Sequence, residues 1–369
     1  MSSAADLDTT VFAASKNFYQ AVGKIKGNVV SSPVSCIYAL GMLYAGSNNQ
    51  TRKIMAKALQ LPEDLTETAA KFEAVSLALT QGFNGVEFSI ANKAFAAEDI
   101  NIPLDYITLI SKSFLASAEN ADFKRPEVAT AKINDWVNAE TKGMIEKLLD
   151  EPLEITTRLV LLNAMYFKGQ WKSQFKPENT KMTQYYWGNF DIYMEVPMMN
   201  KVGKYRHALL PDLDAQAIAI PYEGDDVNLL VILPNKPHGL YSLTDKIDQV
   251  DDLKSIMSKM TTSVLDVFLP KFKIESTIEL EPHLREMGLA DIFEKPDLSG
   301  ISASENLFVS KVIQKAVIEV NEEGTVASSS TVVDVNLKSM NEFRCDHPFF
   351  FFLTYRDNFS LFGGKFEKP

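Results

Sequence analysis

Three features of the sequence predict an α+β fold. Apolar residues recur at three- and four-residue steps through much of the first half, the mark of amphipathic helices. The second half carries alternating or continuously apolar runs rich in Val, Ile and Phe, as strands do. Helices and strands never settle into the βαβ rhythm of a parallel sheet. No repeat, low-complexity linker or charge block marks a boundary, so one domain over residues 1–369 is expected. With 46% apolar and 23% charged residues, the chain has ample material for a large core.

The elements follow in order. Val11, Ala14, Phe18, Val22 and Ile25 share one helical face, and Lys26-Gly27-Asn28 ends that helix. After Ser31-Ser32-Pro33 comes a small-residue helix from Tyr38 to Ala45, in which Gly41 and Ala45 allow close packing. Residues 51–61 and 66–81 read as two helices broken at Pro62, with Glu67 and Lys71 paired on a solvent face. The alternating stretch 86–97 reads as a strand. Residues 104–115 and 127–148 return to helix, the latter with Ile133, Trp136 and Val137 as its buried stripe. Residues 159–167 form a continuous apolar run, as a central strand would. Residues 218–224, 227–235 and 264–274 read as strands with proline exits. Ile278 to Phe293 reads as a helix, and 307–320 as the longest strand. Two apolar strands around Tyr355-Arg356-Asp357-Asn358 close the chain.

Composition excludes several functions. A formal charge of -11 argues against a nucleic-acid binder. No run of 18 apolar residues exists, so no membrane partner is expected. His207, His238, His283 and His347 are scattered and lack metal-ligand spacing, so neither metal nor cofactor is expected. Cys36 and Cys345 are too few for a disulfide scaffold and are expected reduced. The first residues lack a basic segment followed by an apolar run, so the expected location is the cytoplasm, with a non-classical route as the way out. Acceptor tripeptides at Asn49 and Asn358 carry little weight without export.

Residues 321–343 are the oddest segment. Glu322-Glu323-Gly324 reads as a turn or hinge, Ala327 to Ser330 are small, and Thr331-Val332-Val333 are β-branched. Two readings stand: a long surface loop, unusual inside a compact domain, or a strand in waiting. On insertion into a sheet, Thr325, Ala327, Ser329 and Thr331 would share one modestly sized face.

Seven ordered motifs resemble the serpin family over essentially the whole chain. They are residues 28–35, 133–145, 161–175, 220–234, 269–276 and 309–325, with the closing runs from Asp346 to Leu353 and Phe362 to Phe366. The resemblance implies three β-sheets, eight or nine helices and an exposed reactive-centre loop near 322–342. It implies a monomeric, non-catalytic inhibitor: a target protease acylates itself on the loop, which then inserts into the central sheet and traps the complex. The implied hinge is Glu322, Glu323, Gly324, Thr325, Val326, Ala327, Ser328, Ser329, Ser330 and Thr331, free of proline and of bulky inward residues. Counting fourteen residues on from Gly324 places P1 at Lys338 and P1′ at Ser339; counting back from Pro348-Phe349 gives Leu337 instead. Lys338 fits a trypsin-like serine protease, while Leu337 at P2 with Lys338 at P1 fits a papain- or cathepsin-L-like cysteine protease. A non-inhibitory role is the remaining alternative.

The resemblance also assigns Ser32, Ser35, Asn163 and Gln314 to the region where central strands part, and Trp171 to the point where the loop first enters. Many relatives carry histidine where this chain has Gln314, which does not titrate near neutrality. Some relatives bind sulfated polysaccharide through a basic helix. The matching region, 63–81, has Glu63, Asp64 and Glu67 against Lys71, so no heparin is expected.

Overall fold

A computed structural model describes residues 25–80, 82, 85–187, 192–247, 253–303, 307–323, 341–357 and 359–369. The expected first helix, the hinge from Gly324 to Thr331, and Leu337, Lys338 and Ser339 lie outside the described residues.

Strand β1 (Val29–Ser31) leads into α1 (Pro33–Gly46), whose residues are all buried. The Ser32 hydroxyl caps its first turn by accepting from Ser35 N, and Pro33 begins the helix where a missing N–H costs nothing. A Cβ on Gly41 would stand 2.5 Å from the Phe114 ring, which explains the glycine as a contact point. Helices α2 (Asn49–Leu59) and α3 (Leu65–Thr80) bracket Pro62, and Lys71 meets Glu67 at 3.2 Å. Helices α4 (Leu104–Phe114), α5 (Pro126–Glu140), α6 (Leu240–Ile247), α7 (Leu253–Ser258) and α8 (Glu281–Glu286) complete eight α-helices among the described residues.

Five strands form the sheet that matters for function: β10 (Phe272–Glu279), β11 (Lys311–Val320), β4 (Leu159–Gly169), β2 (Val86–Ala97) and β3 (Ala116–Ala121), in that spatial order. β10 is antiparallel to β11, and β2 is antiparallel to β4. Between them, β11 and β4 run parallel from Lys311↔Val160 to Ile318↔Phe167. Nine strands form the other sheet: β1, β14 (Phe359–Phe366), β13 (Phe349–Tyr355), β8 (Val227–Pro234), β7 (Ala215–Pro221), β6 (Ile192–Leu210), β9 (Thr261–Pro270) and β12 (Asn341–Arg344), with β5 (Lys181–Trp187) on β6. The main core lies between the two sheets and around α1.

Several expectations need correction. Hydrogen bonding among the described residues joins the strands into two networks, within which a third sheet is not set apart. The cause is β6, 19 residues long, which pairs β5 with one part of its length and β7 and β9 with the rest, joining two areas. It is also the longest strand, whereas β11 begins only at Lys311. The helix expected to reach residue 148 stops at Glu140. Thr141 turns there, Gly143 adopts φ +78°, and Asn134 Oδ1 accepts from Leu148 N and Leu149 N, folding the segment back on α5. Trp136 in that helix is half-buried, its ring set edge-on to Phe95. Residues 278–293 are not one helix: β10 continues to Glu279 because Phe272, Ile274, Ser276 and Ile278 keep facing inward, and only α8 and a short 3-10 turn follow.

Candidate functional site

Three side-chain amides line up across adjacent strands. Gln314 of β11 stands opposite Asn163 of β4, and Asn163 stands opposite Asn92 of β2. All three are buried, so their polar atoms look for partners inside the protein. Gln314 Nε2 donates to Asn163 Oδ1 at 2.8 Å and to Ser32 O at 2.9 Å. Its Oε1 accepts from Ser31 Oγ at 2.8 Å and Ser32 N at 3.1 Å, which uses the full capacity of the amide. Asn163 Nδ2 donates to Asn92 Oδ1 at 2.6 Å and to Ser35 Oγ. Ser32 Oγ donates to Leu361 O at 2.7 Å. The cluster thus ties the parallel β11–β4 seam to the start of α1 beneath it.

Sequence reasoning named Ser32, Ser35, Asn163 and Gln314, and the structure brings these four together. It missed Ser31 and Asn92. An asparagine among the small and apolar residues after Ile90 was the available signal, weak because Asn also reads as a strand breaker.

Trp171 belongs to a different place. About seven residues separate Gln314 from Asn321, on the order of 23 Å along a strand. Trp171 stacks on Tyr222 with ring centroids 4.3 Å apart, and its Nε1 donates to Asn321 O at 2.7 Å. Next along the chain, the buried Glu322 carboxylate accepts from Lys271 Nζ at 2.9 Å and from Thr180 Oγ1 at 2.9 Å. Burial alone would raise its pKa. The Lys271 hydrogen bond, its own backbone N–H, the Thr180 hydroxyl and the Lys271 charge outweigh burial and hold it below the usual glutamate value. Glu323 N donates to Asn321 Oδ1 at 3.0 Å, and Gln174 Nε2 donates to Glu323 O at 3.0 Å. Of the ten hinge residues named from sequence, only Glu322 and Glu323 are described, and both are tethered. Lys271, Thr180 and Gln174 were not foreseen. Each comes from a segment far from residue 322 in sequence, and spacing could not have paired them.

Elsewhere, the Cys36 and Cys345 thiols are buried, and desolvation pushes both far above the ordinary thiol range. No group of three or more His, Cys, Asp or Glu among the described residues is placed to hold a metal ion. No helix among them is long and apolar enough to cross a membrane.

The family model described as Serpin (serine protease inhibitor) matches residues 10–369. Serpin B4 of Homo sapiens is 37% identical, covering 93% of this chain and 94% of its own length. Iripin-8 of Ixodes ricinus is 36% identical over 92% of this chain and 88% of its own. Among solved structures, native protease nexin-1 with heparin superposes with a TM-score of 0.89 at 31% identity, covering 100% of both chains. Cleaved Serpin 42Da superposes at 0.87 with 32% identity, again over 100% of both. Members of this family are typically non-catalytic protease inhibitors. With motifs, topology and similarity agreeing over nearly its full length, the chain belongs to the serpin family.

Proposed function

We propose that the chain acts as a one-domain, monomeric suicide substrate for a protease, cut after Lys338 with Ser339 on the leaving side. The observation that carries this reading is the parallel β11–β4 seam, reached directly from β11 through residues 321–323. In a sheet whose neighbouring pairs β10–β11 and β4–β2 are antiparallel, one strand entering the seam from the end of β11 would run antiparallel to both partners. It would replace a parallel pairing with two antiparallel ones, the more stable kind per residue. The uncut state is then held kinetically, and cutting the loop lets the sheet complete itself. The small residues from Ala327 to Ser330 and the modest Thr325 and Thr331 suit such a strand. The cluster around Gln314 and Asn163 supports a gating role, because the bond between them spans the seam that must open. Trp171 and the tethered Glu322 and Glu323 support the role of loop root.

A trypsin-like serine protease is the preferred target because its pocket carries a buried carboxylate for Lys338. The pair Leu337-Lys338 favours a second reading, a papain-like cysteine protease taking Leu337 at P2. Incubation with one protease of each class tests both. An SDS-stable band at the summed mass less the released 339–369 fragment identifies the class, and sequencing of that fragment places the bond. Clean cleavage with no such band removes the inhibitory reading. Thr325→Arg, which puts a charge on the inward face, should turn the inhibitor into a plain substrate. Protease nexin-1 was solved with heparin. Here α3 offers Lys71 already paired with Glu67, so we expect no retention on a heparin column at physiological salt.

A further inference from the structure

We propose that Gln174 is a positioning residue for strand insertion: its side-chain amide is the last tether before Gly324 among the described residues and sets how readily the inserting segment begins to turn. This rests on the insertion reading above.

The backbone ladder of β11 with β4 ends at Ile318↔Phe167, and its ladder with β10 ends at Val320↔Phe272. Beyond those pairs, side chains from other parts of the chain hold residues 321–323. Trp171 takes the Asn321 carbonyl, Lys271 and Thr180 take the Glu322 carboxylate, and Gln174 takes the Glu323 carbonyl. Trp171 and Gln174 lie in the short segment that follows β4. As β4's backbone ends, its continuation supplies side-chain donors to carbonyls two residues apart. Two peptide oxygens with no strand partner are satisfied in this way.

The Gln174 main chain is itself held. Its carbonyl accepts from Lys201 Nζ at 2.9 Å, and the same ammonium reaches Ser173 Oγ. Lys201 is half-buried and stands near Lys176, and burial followed by that like charge pushes its pKa down to about 8. A cation kept there despite both effects anchors the loop on which Gln174 sits.

The geometry of reversal makes the Glu323 tether consequential. β11 runs toward Val320, and a strand entering the seam from Thr325 must run the opposite way, so the chain reverses within residues 321–324. Reversal there turns the Glu323 carbonyl away from its present direction. The bond from Gln174, the one closest in sequence to Thr325, must therefore break before Thr325 can take its first partner.

The test uses the full-length protein with a fluorophore at position 337, cut by a protease that does not become trapped, with insertion of its own loop followed by stopped-flow fluorescence. Gln174→Met and Gln174→Glu, which cannot donate, should insert the loop about three- to tenfold faster, the scale of one partly exposed hydrogen bond. Gln174→Arg, which keeps a donor, should return to the wild-type rate. Lys201→Met should shift the rate in the same direction, and the double variant with Gln174→Met should be less than additive. Equal rates in wild type and Gln174→Met, with unchanged melting of both, would overturn the role of Gln174 and leave the insertion reading intact. Failure of the cut wild-type loop to insert at all would overturn both. Faster insertion in proportion to a general drop in melting temperature, unrescued by arginine, would reduce Gln174 to an ordinary stabilising contact.

Discussion

Gln314 shows how one side chain can govern a sheet. Its amide uses both hydrogens and accepts twice, and every partner is buried. Gln314→Leu would leave Asn163 Oδ1 and the Ser32 backbone groups without that partner, at a cost of about 3 kcal/mol. A lower denaturant midpoint of the uncut protein is the expected result, and an unchanged midpoint would show the cluster to be dispensable. Glu322 gives a pH signature. Its carboxyl is held below the ordinary 4.5, so its contribution to stability is complete above that value and is lost as pH falls through the lower native value. Comparing melting of wild type and Glu322→Gln from pH 7 to 3 should show a gap of about 2 °C that closes on acidification. The four residues placed at the seam were legible only through the family resemblance of the motifs that carry them, two lying at the start of α1 and two in strands. Their partners Ser31 and Asn92 were not, since which strand neighbours which is a tertiary fact.

At the scale of elements, the periodic runs were read well where one face alone is buried, and poorly where local chemistry intervenes. Residues 141–149 carry helical periodicity, but the Asn134 amide offers their backbone a competing set of partners. β6 escaped notice because Pro197 and Gly203 interrupt its pattern, although their neighbours still pair with β5 and β9. Strand contacts at the C-terminus are tight enough to test by substitution. A Cβ on Gly364 would lie 2.2 Å from Val29 O and 2.6 Å from the Phe351 ring, with β1 paired to β14 at that point. Gly364→Ala should therefore cost about 1–3 kcal/mol, read as an earlier urea midpoint, because backbone rather than a flexible side-chain tip is in the way. A neutral outcome would mean β1 can move off β14 freely.

For the whole molecule, the arrangement of sheets around a parallel seam makes a definite claim about heat. Protein cut within 324–340 by a protease that does not become trapped should melt well above the uncut form, by about 15 °C or more if the sheet gains a full strand. Calorimetry on cut and uncut protein decides it, and identical melting would mean that the loop stays out. Sequence alone conveyed the fold class and the family, because seven motifs keep their order over most of the chain. It did not convey that β6 unites two areas of pairing, because the number of sheets depends on hydrogen bonds between distant segments.

The chain has two sulfur nucleophiles, Cys36 on the fully buried α1 and Cys345 just after β12, and both are sealed inside. In the closed fold neither presents a thiolate to glutathione, peroxide or a second copy. Thiol–disulfide exchange at these two sites is therefore closed off in the folded molecule, whatever the redox character of the compartment around it.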